Sequence, residues 1–265
     1  MHGLGNDFAV FDAREQRLEI PAAKIRVLSD RRTGIGFDQM VVIEPPRSAG
    51  TDVFMRIYNA DGSEVGACGN ATRCIVMYLN KILKKQDFII ETSSSKLSGR
   101  SDGDKVAIDM GKAYLEWKEI PLSSEENTLS LPIIAGILKN PVAVNMGNPH
   151  AVFFVDDVAK VPLDNIGPKM EHHSLFPEKT NVEVAQVLSP SRIRMRVWER
   201  GAGITPACGT GACAVAVAGV RRGLTGRKVT MVLDGGELDI EWRESDGHVL
   251  MAGPAAEVYR GEVEI

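Results

Sequence analysis

The sequence predicts an α+β protein of two similar domains, each a strongly bent, mainly antiparallel, barrel-like β-sheet wrapped around one central α-helix. Three observations predict it. A pattern of strand, turn and cysteine occurs twice along the 265 residues. Alternating strand-like runs fill most of the rest. The segment after the second cysteine is apolar on every side, and such a helix must be enclosed by protein.

The first copy of the pattern runs from Met55-Arg56-Ile57-Tyr58-Asn59 through Asp61-Gly62-Ser63-Glu64 to Ala67-Cys68-Gly69-Asn70. The second runs from Met195-Arg196-Val197-Trp198-Glu199-Arg200 through Gly201 and Gly203 to Ala207-Cys208-Gly209-Thr210. In each, a polar residue closes a strand-like run nine positions before the cysteine. Two further matches keep the same order. Gly5 to Phe11 and Gly147 to Phe153 share five of seven residues, and Asp38-Gln39 before Met40 to Ile43 corresponds to Thr180-Asn181 before Val182 to Val187. Three matches in order, offset by 140 to 142 residues, indicate two copies of one supersecondary unit.

Taken in order, the glycine-spaced start passes into a first strand at Phe8 to Phe11, and Gly34 to Gln39 leads into a second. Asn70 to Lys85 is a helix, carrying Ile75, Val76, Leu79, Ile82 and Leu83 and closing on Lys81, Lys84 and Lys85, which suit the negative end of the helix dipole. Ser93 to Asp104, with Gly99 and Gly103, reads as a polar loop, and Val106 to Met110 as a strand. Lys118 to Leu131, rich in Ser, Glu and Asn and broken by Pro121, reads as an interdomain connection. Thr210 to Arg222 is the second helix, stopped by Arg221-Arg222-Gly223. Val229 to Leu233 and Leu238 to Trp242 are strands, and Val258 to Ile265 reads as a last one.

Composition excludes several classes of function. A net charge near -4 without a basic block offers no footprint for nucleic acid. No apolar run is long enough to span a bilayer, no export signal is present, and a cytoplasmic protein with reduced thiols is the expectation.

The cysteines carry the candidate chemistry. The first turn of a helix has unpaired N–H groups and partial positive charge, so Cys68 and Cys208 are expected to have lowered pKa values and thiolate character. The N–H groups at Gly69-Asn70 and Gly209-Thr210 suit a carboxylate. Cys74 and Cys213, inside their helices, read as small buried hydrophobes. Convergence on a metal is disfavoured, because at 100° per residue the paired cysteines point about 120° and about 140° apart. Asn6, Asn59, Asn148 and Asn181 each stand at the edge of a strand or in a Gly/Pro turn of one half or the other, and amides can bind ammonium or carboxylate. Singly, each is ordinary turn chemistry. Glu199-Arg200 adds a carboxylate and a guanidinium suited to bidentate binding, or a solvated surface pair. His150 is either a core histidine or a group that tunes a thiol, and His172-His173 reads as an exposed loop pair.

Met1 to Phe8, Gly34 to Gln39, Asn59 to Cys74, Gly147 to His150, Thr180 to Glu183 and Trp198 to Cys213 together resemble the diaminopimelate epimerases, over nearly the whole chain. The resemblance implies the fold of that family and a cofactor-independent epimerase interconverting LL- and meso-2,6-diaminopimelate for lysine and peptidoglycan synthesis. It implies Cys68 and Cys208 as alternating base and acid, with His150 and Glu199 tuning them. It implies substrate contacts from Asn6, Gln39, Asn59, Gly69, Asn70, Asn148, Asn181, Glu199, Arg200, Gly209 and Thr210, and no metal. Tyr259 matches a position associated with a homodimer interface. The family's chain crosses back, giving domains of residues 1–115 with 254–265, and 116–253. Family members carry a few more residues before Met1, Ala71-Thr72 replaces the usual Gly-Ala, and Ile204 stands where Glu is common.

Three rivals remain. A proline or hydroxyproline racemase on the same plan would need a compact ring pocket, where Arg200 and four amides suit a substrate polar at both ends. A non-catalytic amino-acid binder has no need of two opposed thiols. A thiol redox protein would join Cys68 to Cys208, although neither copy has C-x-x-C spacing.

Overall fold

The computed structural model describes residues 1–102 and 105–265. The chain divides into two compact units, Met1–Asp109 with Gly253–Ile265, and Met110–Ala252.

The first unit begins with β1 (His2–Gly3), β2 (Asn6–Asp12), α1 (Ala22–Ser29), β3 (Gln39–Glu44) and β4 (Val53–Asn59). It continues with β5 (Glu64–Val65), α2 (Gly69–Leu83), β6 (Asp87–Glu91) and β7 (Lys96–Asp102), and β8 (Lys105–Lys112) carries it to its boundary at Asp109. β2 pairs in parallel with β3, and β3 antiparallel with β4. β4 pairs in parallel with β6, and β6, β7 and β8 follow antiparallel. α2 touches β1 and β7, which lie far apart in this order, so the sheet must curve around the helix. Gly99 permits the close approach: a Cβ there would stand 2.5 Å from a Val76 methyl.

The second unit opens with a small hairpin, β9 (Ile134–Ala135) and β10 (Leu138–Lys139), then β11 (Val142–Asn145), β12 (Pro149–Phe154) and α3 (Leu163–Glu171). β13 (Asn181–Ser189), β14 (Arg192–Glu199), β15 (Gly203–Thr205) and α4 (Gly209–Arg221) follow. β16 (Lys228–Leu233) and β17 (Gly236–Trp242) come next, and β18 (His248–Pro254) carries it to its boundary at Ala252. β12 to β13 is parallel, β13 to β14 antiparallel, β14 to β16 parallel, and β16, β17 and β18 antiparallel. This is the pairing sequence of the first unit. The internal repeat is therefore a repeat of topology, down to the short strands β5 and β15 that pair with β4 and β14 ahead of each helix.

The two helices are not equally enclosed. Gly211 to Gly219 of α4 are all buried, and α4 touches β11, β12, β13, β16 and β17. α2 buries Asn70 to Val76 and Leu79 but leaves Ile82 and Leu83 exposed, and ends at Lys84 with a positive φ of 54°.

Several expectations are corrected. Ser93 to Asp104 is not a loop: residues 96–102 form β7, with every second residue buried, while Gly103 and Asp104 lie outside the described residues. Lys118 to Leu131 is no linker, because Ile120, Leu122 and Leu131 pack into the second unit's core with Phe153, Ile166 and Val184. The described residues hold four helices rather than two. α1 is short and follows Pro21, and α3 contains Pro168, which weakened the helical signal. Val258 to Ile265 is not a strand. Its alternation of Val258, Arg260, Glu262 and Glu264 faces solvent on both sides, and only the preceding Ala256 bridges, to His2.

Candidate active site

In the first unit, parallel pairing sets Phe8 opposite Gln39, and antiparallel pairing sets Gln39 opposite Asn59. Asn6, Gln39 and Asn59 thus stand at one end of three neighbouring strands. Cys68 caps α2 in an extended conformation, with Gly69 and Asn70 in the first turn. A line of hydrogen bonds fixes the amides. Buried Arg73 donates from Nη2 to Asn70 Oδ1 at 2.9 Å, Asn70 Nδ2 to Asn6 Oδ1 at 3.3 Å, and Asn6 Nδ2 to Asp38 Oδ2 at 3.0 Å. Gln39 Nε2 donates to Asn59 Oδ1 at 3.0 Å. Gln39 Oε1 is buried and accepts nothing among the described residues. A buried acceptor in that condition costs about 1–3 kcal/mol, and a ligand N–H would satisfy it.

The second unit repeats the skeleton. Asn148 and His150 lie at the start of β12, and register sets His150 opposite Asn181. Cys208 caps α4, and its Sγ accepts from Gly211 N at 3.4 Å. Thr210 Oγ1 lies 3.5 Å from Sγ. Both ends of the Asn181 amide are bound, Nδ2 to Pro149 O at 2.9 Å and Oδ1 from Arg200 N at 2.9 Å. Arg200 Nη1 donates to Glu178 O at 2.9 Å. Tyr259, in the first unit's terminal segment, is 66% exposed.

Electrostatics separates expectation from structure at Cys208. Its thiol is pushed well up, not down, because burial dominates and the carboxylates of Glu199 and Glu183 add to it. The helix-start N–H from Gly211 and the Thr210 hydroxyl pull the other way and lose. Glu199 itself is pushed up by burial, against hydrogen bonds from Thr205 and Cys208. Protonated groups are therefore favoured around this cap.

Glu183 was not among the candidates. It is fully buried on β13, its Oε1 lies 2.7 Å from His150 Nδ1, and its Oε2 accepts nothing among the described residues. His150 Nε2 lies 2.9 Å from Asn148 Oδ1. An acid within the apolar run Val182 to Val187 was the available signal. Glu171 was missed too: buried, it accepts from Trp198 Nε1 at 2.8 Å and Gly201 N at 3.1 Å, anchoring the turn that carries Glu199 and Arg200. Arg73 is the corresponding omission in the first unit. Each unit thus carries a helix start able to bind an anion, with a thiol at the cap.

Residues 1–116 and 142–258 match the family model for diaminopimelate epimerase. The diaminopimelate epimerase of Rhodospirillum centenum is 55% identical over 264 residues, covering 99% of this chain and 90% of that one. That of Phenylobacterium zucineum is 51% identical over 268 residues, covering 99% and 96%. Among solved structures, a PhzF-family phenazine biosynthesis protein of Bacillus anthracis has a TM-score of 0.71 at 16% identity, covering 100% of this chain and 95% of that one. A hydroxyproline epimerase of Agrobacterium vitis, with trans-4-hydroxy-L-proline bound, has a TM-score of 0.65 at 15% identity, covering 96% and 87%. At these identities the structures speak for the fold, which is the two-unit α+β fold described above. The whole-length sequence matches and the family model go further: this chain belongs to the diaminopimelate epimerase family.

Proposed function

We propose that this chain interconverts LL- and meso-2,6-diaminopimelate without a cofactor, moving the α-proton between Cys68 and Cys208. The observation that carries the reading is the matched pair of helix caps. Each unit sets a cysteine at the cap of its central helix, with first-turn N–H groups beside it. A carboxylate held at such N–H groups keeps its α-carbon beside the thiol. Removal of a proton from one face and delivery to the other then needs one thiol on each side, and the repeat supplies two.

The remaining candidates divide by chemistry. Gly69, Asn70, Gly209 and Thr210 hold the reacting carboxylate. Asn6, Gln39, Asn59, Asn148, Asn181 and Arg200 contact the polar ends of the substrate, and the bare acceptor Gln39 Oε1 suits an ammonium. His150 and Glu199 tune the thiols. A substrate polar at both ends favours a diaminopimelate over the compact ring of a proline racemase. Among the described residues, no helix is long and apolar enough to cross a membrane. A cytoplasmic homodimer completes the reading, with exposed Tyr259 at the subunit contact and the pathway role in lysine and peptidoglycan precursors.

The test is conversion of LL-diaminopimelate to the meso isomer by purified, reduced protein in heavy water without added metal or pyridoxal phosphate. Conversion with deuterium at one α-carbon is expected. Folded protein that neither converts nor exchanges the substrate would sink the proposal.

A further inference from the structure

Nothing in the fold requires a polar pair where Glu183 and His150 stand. At the corresponding register in the first unit, β2 and β3 carry Phe8 and Val41, both buried. A buried ion pair generally stabilises no better than such an apolar pair, so its retention at one of two equivalent places points to work other than folding.

Donor and acceptor chemistry ties the proton on His150 to the way the Asn148 amide faces it. Glu183 Oε1 at 2.7 Å and Asn148 Oδ1 at 2.9 Å are both oxygens, so each ring nitrogen of His150 faces one. A proton is required on Nε2 to reach Asn148, and another within the bond to Glu183. The pair is then neutral overall. Its surroundings work in the same direction. Glu183 lies fully buried beside two further acidic groups, Glu199 of β14 and Cys208 at the α4 cap, and a net negative charge there would be costly. The crowding is direct. A Cβ on Gly211 would sit 2.9 Å from Glu183 Oε1 and 3.3 Å from Cys208 Sγ, so a larger residue there would push carboxylate or thiol aside.

The consequence falls on Asn148. With Oδ1 held by His150 Nε2–H, the amide turns its Nδ2 outward, and no described residue accepts from it. We propose that Glu183 is a positioning residue of the second half-site: through the relay Glu183, His150, Asn148 it fixes the amide of Asn148 so that its N–H2 end meets a substrate oxygen. This rests on the reading above that Asn148 touches the substrate. Glu183 touches no substrate itself.

Imidazole-nitrogen NMR of the ¹⁵N-labelled wild-type protein tests the relay, with the His150 resonances assigned by their loss in His150→Gln. A proton bound to Nε2 is expected. A bare Nε2, with the only ring proton on Nδ1, would mean that Asn148 presents its oxygen instead, and overturns the proposal. Kinetics supplies a second readout. Glu183→Leu leaves the histidine without its partner and is expected to raise KM for diaminopimelate by about tenfold to a hundredfold, more than it lowers kcat. Glu183→Gln can donate to Nδ1, keep the proton on Nε2, and restore KM. An unchanged KM in Glu183→Leu counts against the relay, and if that variant fails to fold the wild-type spectrum decides. The two readings fail separately. A protonated Nε2 in a protein that does not turn over diaminopimelate supports the relay and removes the epimerase. A bare Nε2 in an active epimerase removes the relay alone.

Discussion

The two half-sites share a skeleton and differ in what surrounds it. In both, a strand ends nine residues before a cysteine that caps a buried helix. Beneath the first cap lies a buried cation, Arg73, bound to Asn70. Beneath the second lie the buried acid Glu183, paired with His150, and the half-buried acid Glu199. The difference reaches single methyl groups. Ala71 occupies the third position after Cys68 and is fully buried, whereas Gly211, at the third position after Cys208, could gain a side chain only by displacing Glu183. The shared skeleton suits the carboxylate binding proposed for both halves. The unlike surroundings suit thiols that differ in proton affinity, and a reversible epimerase needs one thiol with a proton and one without.

Breaking the skeleton has the largest expected effect. Cys68→Ala and Cys208→Ala should each lower epimerisation by at least about 10²–10⁴-fold, the usual worth of a positioned proton-transfer group. A variant that keeps near-normal turnover would show that one thiol suffices. The next test transplants one half onto the other. His150→Phe with Glu183→Val copies Phe8 and Val41 into the second unit. Urea denaturation should show stability unchanged or raised by about 1–4 kcal/mol, while turnover falls. A large loss of stability would show the pair to be structural.

In the first half, Arg73→Met should destabilise by about 2–3 kcal/mol, because Asn70 Oδ1 and the Pro254 carbonyl lose a buried donor. A smaller contrast lies at the third helix position. Gly211→Ala should cost about 1–3 kcal/mol by overpacking and depress turnover. Ala71→Gly should cost about 1–2 kcal/mol through backbone entropy and the loss of one buried methyl, and leave turnover intact.

The smallest effect is in alkaline stability. Burial pushes the Cys74 thiol up to about 12, with Arg73 opposing. The folded chain then keeps a proton that the unfolded chain releases, so this contribution is complete below the usual thiol range and is lost as pH rises towards 12. The slope should be about 1.4 kcal/mol per pH unit for each such thiol. Cys74→Ala should flatten the fall in stability between pH 9 and pH 10.5, measured by thermal unfolding. An unchanged slope would place the thiol in a polar setting.

The repeat, both central helices and most strands were legible because their signals are local: alternation, an apolar run, a cap and a basic end. β7 was not, since Ser98, Gly99 and Ser101 look like loop residues until Gly99 is found against Val76. Lys118 to Leu131 failed for the opposite reason, its few apolar residues being buried by tertiary packing that composition does not report. At the candidate site, the cysteines and amides were legible from the repeat and the family resemblance. Glu183 and Arg73 were not, because each has no chemical counterpart in the other half: Val41 answers one and Cys213 the other. The direction of the Cys208 shift also escaped the sequence, because a helix cap is a local feature and burial beside two acids is not.

The proposed reaction needs two thiols, Cys68 and Cys208, to handle one proton from opposite faces of the substrate. The isotope content of product from the earliest turnovers tests it most directly. LL-diaminopimelate carrying protium is mixed with the protein in heavy water, and product and remaining substrate are analysed before conversion is extensive. Delivery by a second, solvent-equilibrated thiol predicts meso product carrying deuterium at the inverted carbon while unreacted substrate still carries protium. Early meso product that retains the protium removed from its own substrate would mean that a single group takes and returns the proton, and would contradict the account.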